Sequence, residues 1–245
     1  MLILYHARTS TTSQKVRLCL EEKKLKWESR LINIGNLENL SENYLQINSD
    51  GIVPTLDHDG KIIAESSVIN EYIDEVFPQN PLMPTSSYLK TLVRTACIWQ
   101  FQLHHPYVRM LTYFSPNSKK LNIKAHAKET LIQEANDHPI ASRKSFLLHA
   151  YEGITDKDIQ QAFYETTRLL NKLEKLLKTY NGPYFIGNQF TLADIAWIPI
   201  FNRLEELGYS SLWIERESNL LTHWWTTVKQ RSSYQSAILQ FHSPT

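Results

Sequence analysis

The sequence predicts an α/β domain of order βαβαββα with a mixed sheet, followed by an all-α helical bundle. Three observations predict it. The first 80 residues alternate short apolar runs with helical periodicities. Pro78-Gln-Asn-Pro81 and Pro84-Thr-Ser-Ser87 then interrupt the chain, and beyond them strand signals nearly vanish. The expected division is residues 1–79, a linker at 80–87, and a helical part at 88–245.

Leu2 to Tyr5 reads as a strand, and Ser13 to Lys24 as a helix with Val16, Cys19 and Leu20 on one face and charges on the other. Trp27 to Ile34 alternates as a second strand, and Ser41 to Ile47 forms a short helix. Val53-Pro-Thr-Leu56 and Lys61-Ile-Ile-Ala64 flank Asp57-His-Asp-Gly60, whose Asp-Gly is a hairpin signal because Gly tolerates the φ > 0 of tight turns. Ser66 to Phe77 is a helix, with Ile69, Ile73 and Phe77 four residues apart. In the second half, Leu89, Leu92, Val93, Ala96 and Leu103 begin a long helix. Phe163, Leu170, Leu173 and Leu177 mark another, ended by Asn181-Gly182-Pro183. Residues 114 to 158, polar and irregular with a helical patch from Ala125 to Ala135, read as a peripheral excursion. Thr191 caps a helix while Asp194 returns a bond to the cap N–H, and Phe190 with Ile195 makes a hydrophobic staple. The helix from Ile195 to Leu207 is apolar nearly all round and is expected at the centre of the helical domain.

The chain has 245 residues, 42% of them hydrophobic and 21% charged, with a net charge of +1. Near-neutrality gives no electrostatic case for nucleic acid or an anionic membrane, and no apolar run approaches a membrane span. The N-terminal apolar run meets polar residues at once, so it reads as a strand and not a leader. Two cysteines, Cys19 and Cys97, make no disulfide framework and fit a reducing, cytoplasmic compartment; both read as core residues.

Function is most legible around Pro54. A Pro lacks the N–H of a ladder donor and belongs at a strand start or edge, where Val53 is expected to keep both backbone polar groups free for an added peptide strand. Glu65-Ser66-Ser67 opens a helix, where N–H donors and the dipole favour an anion. Edge and helix start together describe a site for a small acidic peptide.

Four local patterns carry a family resemblance: Ser10-Thr-Thr-Ser-Gln-Lys-Val-Arg17, Asn48-Ser-Asp-Gly-Ile-Val-Pro54, Glu65-Ser66 and Thr191-Leu-Ala-Asp194. In this order and spacing, over nearly the whole chain, the sequence resembles the cytosolic glutathione transferases. The resemblance implies a thioredoxin-like first domain, a homodimer, glutathione as co-substrate, no metal, and a small hydrophobic electrophile as the second substrate. It implies a cis bond before Pro54, Val53 paired with the cysteinyl backbone, Glu65 on the γ-glutamyl ammonium and Ser66 on its carboxylate. Ile52 and Asn39 stand where related enzymes often place Lys, Gln or His, so the glycyl end departs from the family pattern.

An ordinary thiol, with pKa near 8.5, is mostly protonated at neutral pH, and a hydroxyl donor at a helix N-terminus favours its thiolate. By the resemblance Ser10 is the first candidate for that hydroxyl. Ser13 is the second, with an N-cap role as its plain alternative, and Thr11 the third; Tyr5 belongs to the first strand. No cysteine occupies position 10, which argues against the disulfide-forming branches. Tyr107, Met110, Tyr113 and Phe114 are candidates to line the electrophile pocket, with core packing as their alternative fate. His104 and His105 have no convincing metal partners and read as surface or core. The stretch from Asp137 to Gly153 is similar to the bacterial β-etherases, which cleave aryl ethers with glutathione. The rival reading is a non-enzymatic member that keeps the fold as a binding or regulatory module.

Overall fold

A computed structural model describes residues 1–114, 136 and 155–241. The first unit contains β1 (Leu2–His6), α1 (Thr11–Glu22), β2 (Glu28–Leu31), α2 (Glu42–Leu45), β3 (Thr55–His58), β4 (Lys61–Ile63) and α3 (Ser66–Val76). The order is βαβαββα, as the sequence predicts. The sheet runs β2-β1-β3-β4, with β1 parallel to β2 and antiparallel to β3. Asp59 (φ 52°) and Gly60 (φ 82°) make a two-residue turn in which His58 pairs with Lys61. The hairpin is therefore tighter than the four-residue connection read from sequence, and β3 continues through Asp57 and His58.

Beyond the Pro-rich connection come α4 (Ser87–Leu103), a π-helical step at His104–Val108, α5 (Arg109–Phe114) and α6 (Asp156–Tyr180). They are followed by α7 (Leu192–Glu206), α8 (Ser211–Ile214), α9 (Leu220–Lys229) and α10 (Ser232–Ala237). A capping box between Thr155 and Asp158 starts α6 earlier than its apolar periodicity indicates, and Asn181 ends it in the left-handed conformation. The Ala125–Ala135 patch and the polar excursion before residue 155 lie outside the described residues, Asn136 excepted.

The core of the second unit is α7. Thr191 and Asp194 form the expected capping box, and Phe190 and Ile195 are both buried. Trp197, Ile198, Ile200 and Phe201 are fully buried, and Trp224 and Trp225 of α9 pack against Phe201.

Helix α1 is not half solvated, as its charge pattern had indicated. It is covered by α3 on one side and by α7 and α10 on others, so Lys15, Arg17 and Lys23 are all buried. Lys23 and Arg17 meet acceptors on the elements packed around the helix. Lys23 pairs with Asp74 at 2.7 Å, and the Asp74 carboxylate also accepts the Leu82 and Met83 N–H groups (2.8 and 3.0 Å). That ion pair fixes the start of the helical unit against the first. Arg17 donates to the carbonyls of Ala7 (3.2 Å), Arg8 (2.9 Å) and Ala237 (2.7 Å).

Candidate functional site

The loop from β1 to α1 carries four consecutive hydroxyl residues, and each has a distinct task. Ser10 is the N-cap of α1: its Oγ accepts the Ser13 N–H at 3.3 Å. This corrects the expectation that Ser13 caps the helix. Ser13 lies inside the first turn, fully buried, and its Oγ accepts the Ala7 N–H at 3.2 Å. Thr11 is also buried and shares a 2.5 Å hydrogen bond with His104 Nε2. His104 thus has a specific structural partner across the two units. Thr12, which sequence reasoning passed over, donates to the Val53 carbonyl at 3.1 Å and sits 2.9 Å from Ser10 Oγ. With the Thr12 proton committed to Val53, the Ser10 hydroxyl is the donor of that pair. Its oxygen meanwhile accepts from the helix, which polarises the O–H.

The carbonyls that lead into this loop are fixed as well. Arg17 holds those of Ala7 and Arg8, and Arg203 from α7 donates to Thr9 O at 2.6 Å. Arg17 also contacts His6 Nδ1 (3.0 Å). Burial and the Arg17 charge keep the His6 ring neutral, with its pKa pushed down to about 3. The thiol-activating candidate is therefore surrounded by positive charge and fixed backbone.

The Val53–Pro54 peptide is cis, and β3 begins immediately after it. Three successive carbonyls before Pro54 are held by side chains: Gly51 O by Asn39 Nδ2 (2.7 Å), Ile52 O by the Tyr44 hydroxyl (2.6 Å), and Val53 O by Thr12. The Val53 carbonyl is thus not free, as its edge position had indicated, although a second lone pair remains for a ligand. Asn39 braces this segment, and its Oδ1 is buried without a hydrogen bond. Gly51 adopts φ 59°, a left-handed conformation that favours glycine, and a Cβ there would stand 3.1 Å from the Asn39 carbonyl oxygen.

Glu65 stands at φ 65°, ψ 110°, a costly conformation for a residue with a Cβ. It occupies the N-cap position of α3 without a side-chain cap bond. The Glu65 carboxylate and the Ser66 hydroxyl have no hydrogen bond or ion pair among the described residues. The first-turn N–H groups of α3 thus lack a side-chain cap, as an anion site requires.

On the helical side, Tyr107 and Tyr113 are half-buried, whereas Met110 is 8% exposed and belongs to the apolar core. Phe114 ends α5, and its side chain lies outside the described residues. Cys19 is buried in the core and Cys97 half-buried, both as free thiols. Burial pushes the Cys97 thiol up to about 11 and raises that of Cys19 further.

A thioredoxin-like four-stranded sheet, a cis proline linked through Thr12 to a hydroxyl-capped helix, and a helical second unit define the fold class. Residues 4–81 match the glutathione S-transferase N-terminal domain and residues 138–232 the C-terminal domain. The chain belongs to the glutathione S-transferase family, which uses glutathione. It is 29% identical to the maleylacetoacetate isomerase of Dictyostelium discoideum, covering 79% of this chain and 74% of that protein. It is 28% identical to protein LigF of Sphingobium sp., covering 84% and 80%. The crystal structure of beta-etherase LigF from Sphingobium sp. superposes with a TM-score of 0.85 at 25% identity, covering 96% of this chain and 98% of that one.

Proposed function

We propose that the protein is a glutathione transferase that binds glutathione between Val53 and the start of α3 and activates its thiol with Ser10. The observation that carries the reading is the uncommitted Glu65–Ser66 pair at an uncapped helix start, combined with the Ser10–Thr12–Val53 hydrogen-bond chain. Val53 pairs with the cysteinyl backbone, with Pro54 opening the next strand beside it. Glu65 takes the γ-glutamyl ammonium and Ser66 the carboxylate; Ile52 and Asn39 border the glycyl end. Ser13 braces the loop. The thiolate attacks a small hydrophobic electrophile in a pocket to which the half-buried Tyr107 and Tyr113 contribute. Aryl ether cleavage is the second, narrower reading, favoured by the likeness to LigF over nearly both chains.

Titration calorimetry and retention on immobilised glutathione test the reading first, followed by a panel of halogenated, epoxide and aryl-ether substrates. Binding with turnover of at least one electrophile is expected, and turnover of the aryl ether selects the second reading. Failure to bind glutathione sinks the enzyme in favour of a non-enzymatic member of the fold.

The proposed assembly is a homodimer in a reducing cytoplasmic compartment. Support comes from the two free cysteines and from exposed apolar residues on α3 and α4: Val68 (57% exposed), Ile98 (54%) and Phe101 (51%). Light scattering is expected to give twice the 28.6 kDa chain mass, and Phe101→Glu to shift it toward the monomer. A monomeric parent protein rejects this assembly.

A further inference from the structure

Lys15 is a buried cation for which the chemistry outlined above has no use. It projects from α1 into the junction of α1, α3 and α4 and is 3% exposed. Its ammonium donates to Ser67 Oγ at 2.5 Å and to Gln100 Oε1 at 3.3 Å. Asn70 of α3 fixes its backbone by donating to the Lys15 carbonyl at 3.3 Å. A small cavity beside it is lined by Ser67, Asn70, Glu71, Val93, Cys97 and Leu192.

The charge of Lys15 is not neutralised there. Among the described residues it makes no ion pair, and its direct partners, Ser67 and Gln100, are neutral. Glu71, the carboxylate that lines the cavity, is held bidentately by Arg94 (Nε at 3.2 and 3.1 Å, Nη2 at 2.8 Å). The thiols of Cys97 and Cys19 are held protonated by burial. Glu65 attracts Lys15 through space, makes no hydrogen bond or ion pair with it, and is exposed. Burial of an ammonium without a neutralising partner lowers its proton affinity, a cost the fold bears without evident structural return.

A ligand carboxylate would provide that return. Resting on the glutathione reading, we infer that Lys15 is a positioning residue of the γ-glutamyl subsite, its ammonium on Ser67 serving as buried countercharge for the carboxylate at Ser66. Glu65 and Lys15 then bracket the start of α3 with opposite charges, matching the ammonium and carboxylate of the γ-glutamyl zwitterion. The anion receives the uncapped N–H groups of α3, the helix dipole and a fixed cation in a site of low dielectric. Lys15 does not touch the ligand: it acts through Ser67 and through its field.

The test compares two ligands, glutathione and γ-aminobutyryl-cysteinylglycine, which lacks only the γ-glutamyl α-carboxylate. Calorimetry on the full chain is expected to show Lys15→Met raising the Kd for glutathione about tenfold. The Kd for the decarboxylated peptide is expected to change less than about twofold, since its missing group is the one Lys15 serves. Ser67→Ala should show the same selectivity at smaller amplitude, and it carries the comparison alone if Lys15→Met does not fold. Lys15→Arg, which keeps the charge, should recover most of the glutathione affinity. Equal weakening of both ligands, or of neither, overturns the inference and leaves the glutathione site standing. An unsubstituted protein that binds neither ligand overturns the glutathione reading itself, and this inference with it.

Discussion

Replacing Asp194 by Ala is expected to cost on the order of 4 kcal/mol of stability, without touching the thiol site. The carboxylate is fully buried and accepts four hydrogen bonds. Oδ1 takes Phe185 N–H (3.1 Å) and Trp224 Nε1–H (2.8 Å); Oδ2 takes Thr191 N–H (2.9 Å) and Thr191 Oγ1–H (3.1 Å). One side chain thus joins the start of α7, the segment after α6 and the stacked Phe185–Trp224 pair. Alanine strands at least three buried N–H groups, each worth about 1–3 kcal/mol, and also removes the helix cap. For a chain of this size the melting temperature should fall by about 10 °C.

The pH dependence of that deficit has a definite sign. Burial raises the Asp194 carboxyl from 3.8 to about 6 despite its four donors, so the folded state holds a proton that the unfolded state has released between those values. The contribution of this titration is full below about pH 4 and is lost as pH rises through about 6. The Asp194→Ala deficit is therefore expected to be larger near pH 4.5 than near pH 7.5, by about 1–2 kcal/mol. Thermal unfolding of both proteins at the two pH values measures it. A deficit that grows with rising pH contradicts the raised carboxyl.

The order βαβαββα was legible because the signals for it are local. Asp59-Gly60 demands a turn, Ile69, Ile73 and Phe77 repeat at helical spacing, and the prolines at 78, 81 and 84 stop both patterns. The cap of α1 was not legible in the same way. Ser10, Thr11, Thr12 and Ser13 all have the chemistry of a cap, and only the path of the chain out of β1 selects Ser10. The partners of Thr12, His104 and Lys15 were not legible, for a different reason. Those partners, Val53, Thr11 and Ser67, lie 41 to 93 residues away in sequence, so the pairings exist only once the units are assembled. Amphipathic patterning further misplaced Lys15, Arg17 and Lys23, because a helix covered on several faces can bury charge wherever carbonyls or a carboxylate meet it. The start of α3 at Ser66 was legible because its signal is local, the residue types of Glu65-Ser66-Ser67 ahead of an apolar helical period.

Removing the Ser10 hydroxyl is expected to lower turnover at neutral pH by about 10- to 100-fold, the worth of one charge-assisted hydrogen bond to a thiolate. Ser10 stands at the positive end of α1, its oxygen accepts from Ser13 N–H, and its proton is directed to Thr12. A bound thiolate, a stronger acceptor than a threonine hydroxyl, captures that proton as a hydrogen bond. Loss of the donor should shift the acid limb of the kcat/KM profile upward by about one to two pH units and diminish the ultraviolet thiolate absorbance of bound glutathione. Because Ser10 also caps α1, Ser10→Ala carries a stability cost of about 1 kcal/mol that has to be separated from the chemistry. Ser10→Gly makes the separation, since glycine at a cap costs only a few tenths of a kcal/mol while the hydroxyl is equally absent. Both variants should lose activity to the same extent and differ in melting temperature. Ser13→Ala should show the reverse pattern: it strands the buried Ala7 N–H, so stability falls while the pH profile of the remaining activity keeps its midpoint. An unshifted acid limb in Ser10→Gly would remove Ser10 from the mechanism.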